Sequence, residues 1–350
     1  GRARRVRRRA QLGLLPRALV MEQVRRATCS RVGEELSDQM STDPQTPETV
    51  EAELERIHLE MVDSGNVPSG MDRLLAYLRA LRASHASTDW RELCRRVRAA
   101  PIAKICLEDP FTRHARDKPR GYAGDATLLD FLYREPELLE RVAREESDRG
   151  LAIMSYKIAC PSASAVRWRR SHLAAELDRA IFSRRDAEIL VLASGFFREG
   201  DHSVGVSSRR AKRIVAIDQD AQSIEAVRER FPWIEGSTQD LRFILRERAP
   251  LGRFDLVYAA GLYDYLSERF ARRLTRCLAK LLKPDGRLLV ANFLPDRLES
   301  GYMDSIMEWP LIYRSPRALA EVTRVEGMQH SLYQDPMHQV VYARLENHGA

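Results

Sequence analysis

From Glu188 onward, short apolar runs alternate with amphipathic stretches, the rhythm of parallel strands joined by helices. The pattern predicts strands at Glu188–Leu192 and Arg213–Ile217, one ending near Gly236, then Phe254–Ala259 and Arg287–Phe293, the last entered through the tight turn Lys283-Pro284-Asp285-Gly286. The tail breaks this rhythm. Met328–Tyr333 and Gln339–Leu345 flank the turn signal Gln334-Asp335-Pro336, which predicts an antiparallel hairpin instead of another crossover.

Upstream the period is helical. Val50, Leu54, Ile57, Met61 and Val62 mark a helix over Glu48–Ser64, ended by Gly65 and Pro68. Further helices are expected at Met71 to about Ser84, Asp89–Ala99, Ala126–Tyr133, Pro136–Glu146 and Ala163–Phe182. Glu108 to Asp125 is dense in glycine, proline and charge, which predicts an ordered loop of the kind that carries function.

Length and charge sharpen this division. A chain of 350 residues exceeds one ordinary core, so two domains are expected. The boundaries read as a basic tail and linker over 1–47, a helical lid or substrate domain over 48–160, and a nucleoside-binding domain over 161–350. Residues 1–20 hold seven arginines and no acid, which equals the whole formal charge of +7. The rest of the chain is near neutral, so no nucleic-acid partner is implied. The tail itself reads as disordered or non-native sequence ahead of a start at Met21, with a transit peptide or a nucleic-acid arm as the other readings.

No apolar run reaches the roughly 18 to 20 residues that span a bilayer. Cys29, Cys94, Cys106, Cys160 and Cys277 lack metal-ligand or CxxC spacing, and the histidines form no HxxxH or HxH pair. Free thiols in a reducing cytoplasm and no metal are the expectation.

The chemistry gathers at the first predicted strand. Ile189 to Leu192 runs into Ala193-Ser194-Gly195-Phe196-Phe197, and Asp218 ends the next strand twenty-five residues after Ala193. This spacing is that of a nucleoside-binding βαβ unit, where backbone approaches the ligand and the acid accepts from ribose hydroxyls. A pyrophosphate would want three glycines and a helix N-terminus. Here the three positions are Ala193, Gly195 and Phe197, and Phe197 predicts a displaced helix or a wider turn.

With Gly236 to Leu241, Phe254-Asp255-Leu256-Val257 and Leu282-Lys283-Pro284-Asp285-Gly286, this turn resembles class I S-adenosylmethionine-dependent methyltransferases over about 160 residues of the C-terminal half. The fold so implied is an α/β, Rossmann-like, mostly parallel seven-stranded sheet with a C-terminal antiparallel hairpin, preceded by an α-helical domain. Lys118-Pro119-Arg120-Gly121-Tyr122-Ala123-Gly124-Asp125, Ala165-Val166-Arg167-Trp168-Arg169-Arg170 and Gly261-Leu262-Tyr263-Asp264-Tyr265-Leu266 resemble a bacterial subgroup labelled as extracellular-factor, 3-hydroxypalmitate methyl ester biosynthesis proteins, over most of residues 48 to 346.

The resemblance implies S-adenosylmethionine as cofactor and methyl transfer to a small-molecule carboxylate, or another oxygen or nitrogen acceptor, in a secondary-metabolite or signal pathway. Val191 replaces the usual acid that ends strand one, so the methionine amine needs another partner. Asp125 is the candidate for the ammonium and Arg169 or Arg167 for the carboxylate, against a helix N-cap for Asp125 and a solvated face for the arginines. Ala193, Gly195 and Gly261 would allow close backbone approach, Asp218 would hold the ribose, and Ser237 and Asp240 would lie by the adenine, with an N-cap as the other reading of Asp240.

Tyr122, with Gly124 beside it, and Tyr263, Tyr265 and Phe196 are candidates for cation–π contact with the sulfonium. Among these Tyr265 is expected to be buried, because Leu262, Tyr265 and Leu266 share a helical face. Arg314 would bind an acceptor carboxylate, walled by Trp309 and Tyr313. Tyr122, Tyr263 and Arg314 are thus the candidate catalytic residues. A carboxylate acceptor needs no general base, which fits a sequence with no evident His–Asp pair. Two other readings stand beside this one: cyclisation of S-adenosylmethionine itself with release of methylthioadenosine, and a non-catalytic binding module.

Overall fold

In the computed structural model, residues 47–63, 66–246 and 251–347 are described, so the basic tail, Met21, Cys29 and most of the linker lie outside them. The chain divides into two units. The first comprises the described residues up to Ser164 together with Asp296–Pro310; the second is Ala165–Pro295 with the described residues from Leu311.

The first unit is helical: α1 (Pro47–Asp63), α2 (Val67–Ser84), α3 (Ser87–Ala99), α4 (Pro101–Cys106), α5 (Pro110–Asp117), α6 (Ala126–Tyr133), α7 (Pro136–Glu145) and α8 (Asp148–Ala159). Leu54, Ile57 and Met61 of α1 and Met71, Leu74, Leu75 and Leu78 of α2 are fully buried, as the helical period requires. Helix α1 ends at Asp63, ahead of Pro68, and Pro68 itself stands in the first turn of α2, where its missing N–H is no loss.

The expected loop from Glu108 contains a helix for the same kind of reason. Asp109 accepts from the backbone N–H of Phe111 (2.9 Å) and Thr112 (3.1 Å), and Pro110 opens α5, so only Lys118 to Asp125 remains a loop. Helix α8 was not legible as a separate element; Ser147 caps it by accepting from Gly150 N at 2.9 Å.

Asp296–Pro310 follows the fifth strand in sequence but belongs to this helical unit, where Ser300–Ser305 forms a short helix. Asp296 receives a two-pronged contact from Arg79 (2.9 and 2.8 Å), and Asp304 accepts from Arg82 Nε (2.7 Å) and Trp90 Nε1 (3.1 Å). Tyr302 is fully buried, with its hydroxyl 2.9 Å from Thr112 Oγ1, and Lys157 Nζ stands 3.9 Å from its ring centre. Gly301 lies so close to α2 that a Cβ would sit 2.2 Å from Leu78 O.

The second unit begins within α9 (Pro161–Ser183) and is built on a seven-stranded sheet of order β3-β2-β1-β4-β5-β7-β6. Its strands are β1 (Glu188–Leu192), β2 (Arg213–Asp218), β3 (Glu235–Thr238), β4 (Phe254–Ala259), β5 (Leu282–Phe293), β6 (Gln329–Gln334) and β7 (Val340–Glu346). The first five pair in parallel, whereas β7 is antiparallel to both β5 and β6. All six residues of β4 are buried, the mark of an interior parallel strand.

Strand β5 starts earlier than the turn at Lys283 to Gly286 suggested. The turn is absorbed into the strand as an irregularity between the Phe254 and Leu256 pairings, with Asp285 at φ 58° and its N–H on Asn347 O at 2.6 Å. The hairpin signal at Asp335 is realised by its side chain, which accepts from the N–H groups of Met337 (2.8 Å), Gln339 (2.8 Å) and Val340 (2.5 Å).

Two stability changes are expected. Gly301→Ala should destabilise the helical unit by about 1 to 3 kcal/mol through overpacking, read as a lower urea midpoint. Burial raises the Asp109 carboxyl from 3.8 to about 6, so the stability gained from its protonated form is complete below pH 3.8 and lost as pH rises through about 6. The stability of wild type relative to Asp109→Asn should therefore fall by up to about 3 kcal/mol between about pH 4 and about pH 8, measured by urea unfolding.

Candidate functional site

The chain leaves β1 toward β2 on one side and returns to β4 on the other, so the sheet changes direction between β1 and β4. Ligands of open α/β sheets bind at the carboxyl ends of strands at such a point. The turn leaving β1 is tightly wound: Ala193, Gly195 and Phe197 all take left-handed φ values of 51°, 51° and 53°. Asp218, at the end of β2, holds this turn by accepting from Gly195 N at 2.8 Å, while its other oxygen accepts from Asp220 N at 2.9 Å. Burial raises its pKa, against the lowering effect of those N–H groups. A carboxylate has about four acceptor sites, so beside the N–H groups of Gly195, Asp220 and Gln219 it keeps capacity for one further donor.

Phe197 is fully buried with its ring 5.5 Å from that of Phe231, and Gly200 is needed beneath it, since a Cβ there would lie 2.4 Å from the Phe197 ring. The chain then makes a 3-10 turn, Arg198–His202, and only a four-residue helix, α10 (Val204–Ser207). No full helix N-terminus follows the turn. This is the displacement that a phenylalanine at the helix-packing position predicts.

On the other wall, Arg169 of α9 is buried and donates from Nη1 to Ala260 O at 2.8 Å, just past β4. A Cβ on Gly261 would be 3.9 Å from Arg169 Nη1, so the glycine faces the guanidinium without crowding. Arg169 is therefore on no solvated face. Glu199, from the 3-10 turn, is also buried and accepts from Tyr258 Oη at 2.6 Å. Burial raises its pKa; the Tyr258 hydrogen bond and the charges of Arg169 and Arg170 oppose the rise. Ala193, Gly195, Asp218, Arg169 and Gly261 are thus gathered on one edge of the sheet unit, with Glu199 and Tyr258 added to them.

Beyond β3, Gln239 N donates to Asp218 O at 3.0 Å, which brings Ser237 and Asp240 toward the same edge. Asp240 caps the short helix Leu241–Leu245, accepting from Arg242 N at 2.8 Å. Ser237 pairs with Ile217 and is half-buried.

The expectation for the loop after β4 is reversed. Residues Tyr263–Tyr265 form a 3-10 turn, so Leu262, Tyr265 and Leu266 do not share an α-helical face. Tyr265 is 44% exposed, whereas Tyr263 is fully buried among core side chains with its hydroxyl 2.8 Å from Thr275 Oγ1. Arg314 is buried and donates to Tyr263 O (2.6 Å), Asn292 Oδ1 (2.6 Å) and Leu266 O. Desolvation lowers its pKa. Asp264 completes the knot by accepting from Asn292 Nδ2 (2.9 Å) and Phe293 N (2.7 Å), while its carbonyl accepts from Ile312 N (2.7 Å). Asn292 and Asp264 had one readable signal, a polar residue closing the apolar run of β5.

In the helical unit, Asp125 is buried and caps α6, accepting from Leu128 N at 2.8 Å. Both its oxygens lie 2.9 Å from His114 Nε2, so the chain does contain a His–Asp pair. Gly124 takes φ 78° just before the cap, and Tyr122 is half-buried in the same loop. Trp309 is buried in this unit, while Tyr313 belongs to the sheet unit. Cys94, Cys106, Cys160 and Cys277 are buried free thiols. Among the described residues, no group of three or more His, Cys, Asp or Glu is placed to hold a metal, and no helix is long and apolar enough to cross a membrane.

The strand order, with β7 inserted antiparallel between β5 and β6, defines the class I methyltransferase fold. No family model and no curated protein sequence matches the chain. Among solved structures it is similar to a possible exported protein from Bordetella parapertussis, at 16% identity over 71% of this chain and 97% of that one, TM-score 0.49. It is also similar to the N-methyltransferase NodS from Bradyrhizobium japonicum WM9 in complex with S-adenosylhomocysteine, at 17% identity over 52% and 87%, TM-score 0.38. A third is the magnesium protoporphyrin IX methyltransferase ChlM from Synechocystis PCC 6803, at 11% identity over 53% and 86%, TM-score 0.41.

Arg314→Leu should leave two backbone carbonyls and Asn292 Oδ1 without their buried donor. A loss of about 3 to 5 kcal/mol in denaturant unfolding is expected, with faster proteolysis after β4.

Proposed function

We propose that the protein transfers a methyl group from S-adenosylmethionine to a small-molecule acceptor. The observation that carries this reading is the turn after β1. It pairs a ribose-type acid, Asp218, with a chain path that offers no full helix N-terminus for a pyrophosphate. A nucleoside joined to a sulfonium and an amino-acid end needs the acid and not the anion cradle. The residues of the sheet edge fit that group: Asp218 for the ribose, Gly195 and Gly261 for close approach, and Arg169 for a carboxylate.

When bound, S-adenosylmethionine supplies an activated methyl group for in-line displacement. The chain's own contribution is to orient the reactants and exclude water. The resemblance to the extracellular-factor subgroup supports a carboxylate as the acceptor, which is ionised at neutral pH. Cation–π contact of Tyr122 with the sulfonium, close approach at Gly124, and Asp125 as the rival partner of the ammonium are to be tested one residue at a time by the binding measurement below.

Incubation with S-adenosylmethionine and candidate acids should yield S-adenosylhomocysteine and a methyl ester by mass spectrometry. Methylthioadenosine as the nucleoside product, formed without an acceptor, would replace this reading by cyclisation. Asp218→Asn should weaken S-adenosylhomocysteine binding about 10- to 100-fold in calorimetry, because its charged acceptor is lost.

A further inference from the structure

Among the described residues, six acidic side chains are buried in the sheet unit: Glu176, Glu199, Asp218, Asp255, Asp264 and Asp335. Five of them are engaged by several protein groups. Glu176 is surrounded by Arg179, Arg287 and Arg344. Asp255 accepts from Lys283 Nζ (2.7 Å) and Glu188 N (2.8 Å) at the amino end of the sheet. Asp335 caps the hairpin turn, Asp264 belongs to the Arg314 knot, and Asp218 holds the β1 turn.

Glu199 differs. It is 7% exposed, and its side-chain hydrogen bond comes from the neutral hydroxyl of Tyr258, with its own backbone N–H and the charges of Arg169 and Arg170 also acting on it. Burying a carboxylate is costly unless it is paired, and one hydroxyl and one backbone N–H leave part of its acceptor capacity unused. Its place explains the arrangement. Tyr258 is the register partner of Val191, the apolar residue next to last in β1 where an acid was expected. Glu199 therefore brings a negative charge back to that end of the sheet from the segment following the turn. Arg169, bound to Ala260 O, marks a positive group on the neighbouring wall. A buried acid and a buried arginine at one strand edge are complementary to an α-amino acid in its zwitterionic form.

We infer that Glu199 binds the ammonium of the cofactor's amino-acid end, a role that rests on the cofactor reading above. Tyr258 acts as the positioning residue, holding the carboxylate through its hydroxyl.

Calorimetry tests this with three ligands: S-adenosylhomocysteine, its analogue lacking the α-amino group, and 5′-methylthioadenosine, which lacks the whole amino-acid end. The wild type should bind S-adenosylhomocysteine about 10- to 100-fold more tightly than the des-amino analogue. Glu199→Gln should abolish that preference while leaving methylthioadenosine affinity within about twofold of wild type. Absence of the preference in wild type would overturn the inference without any variant. A Glu199→Gln protein that keeps the preference, or that loses affinity for all three ligands equally, would overturn it too. If the wild type binds none of the three, the cofactor reading itself falls. Should Glu199→Gln fail to fold, Tyr258→Phe provides the second variant, with a smaller but still selective loss for the amino-bearing ligand.

Discussion

Asp218 accepts hydrogen bonds from Gly195 N and Asp220 N, and the carboxyl edge of the sheet is organised around that carboxylate. Three residues in the turn after β1 take left-handed backbone angles, two of them without the freedom of glycine. Such a turn needs external support, and the acid ending the neighbouring strand provides it. The same chain end receives Gln239 N, so the segments following β1, β2 and β3 share one anchor. An acid that holds its own neighbouring turn in place is fixed by the fold itself, with little left to order.

The segments following β4 and β5 are tied by a different device. Arg314, Asn292 and Asp264 form a buried network that satisfies backbone groups of the 3-10 turn and of the chain around Ile312. Buried charge of this kind is tolerated when each donor and acceptor finds a partner. Its consequence is a rigid loop at the edge where β4 ends. Tyr263 is pulled into the core by the same network, and Tyr265 is turned outward.

The helical unit follows a parallel logic with other residues. The segment Asp296–Pro310 is embedded among the helices by Arg79, Arg82, Trp90 and Thr112, with Gly301 permitting contact closer than any side chain would allow. Asp109 and Asp125 each begin a helix from a buried position, and Asp125 also binds His114. These caps convert a stretch rich in charge and proline into a short loop between two defined helices.

Strand positions, the terminal hairpin and the pairing of the β1 turn with Asp218 were legible from residue order, because alternation, turn chemistry and the spacing of a βαβ unit are local properties. Glycine, proline and charge density misled at Glu108–Asp117, where an Asp-Pro cap outweighed composition. The role of Glu199 and the His114–Asp125 pair were not legible, nor was the membership of Asp296–Pro310. Each depends on partners brought together by packing: Tyr258 lies 59 positions from Glu199, and Thr112 lies 190 from Tyr302. Periodicity records which face of an element is apolar. It carries no record of which distant donor will satisfy a buried acid, and that choice is made when the elements meet.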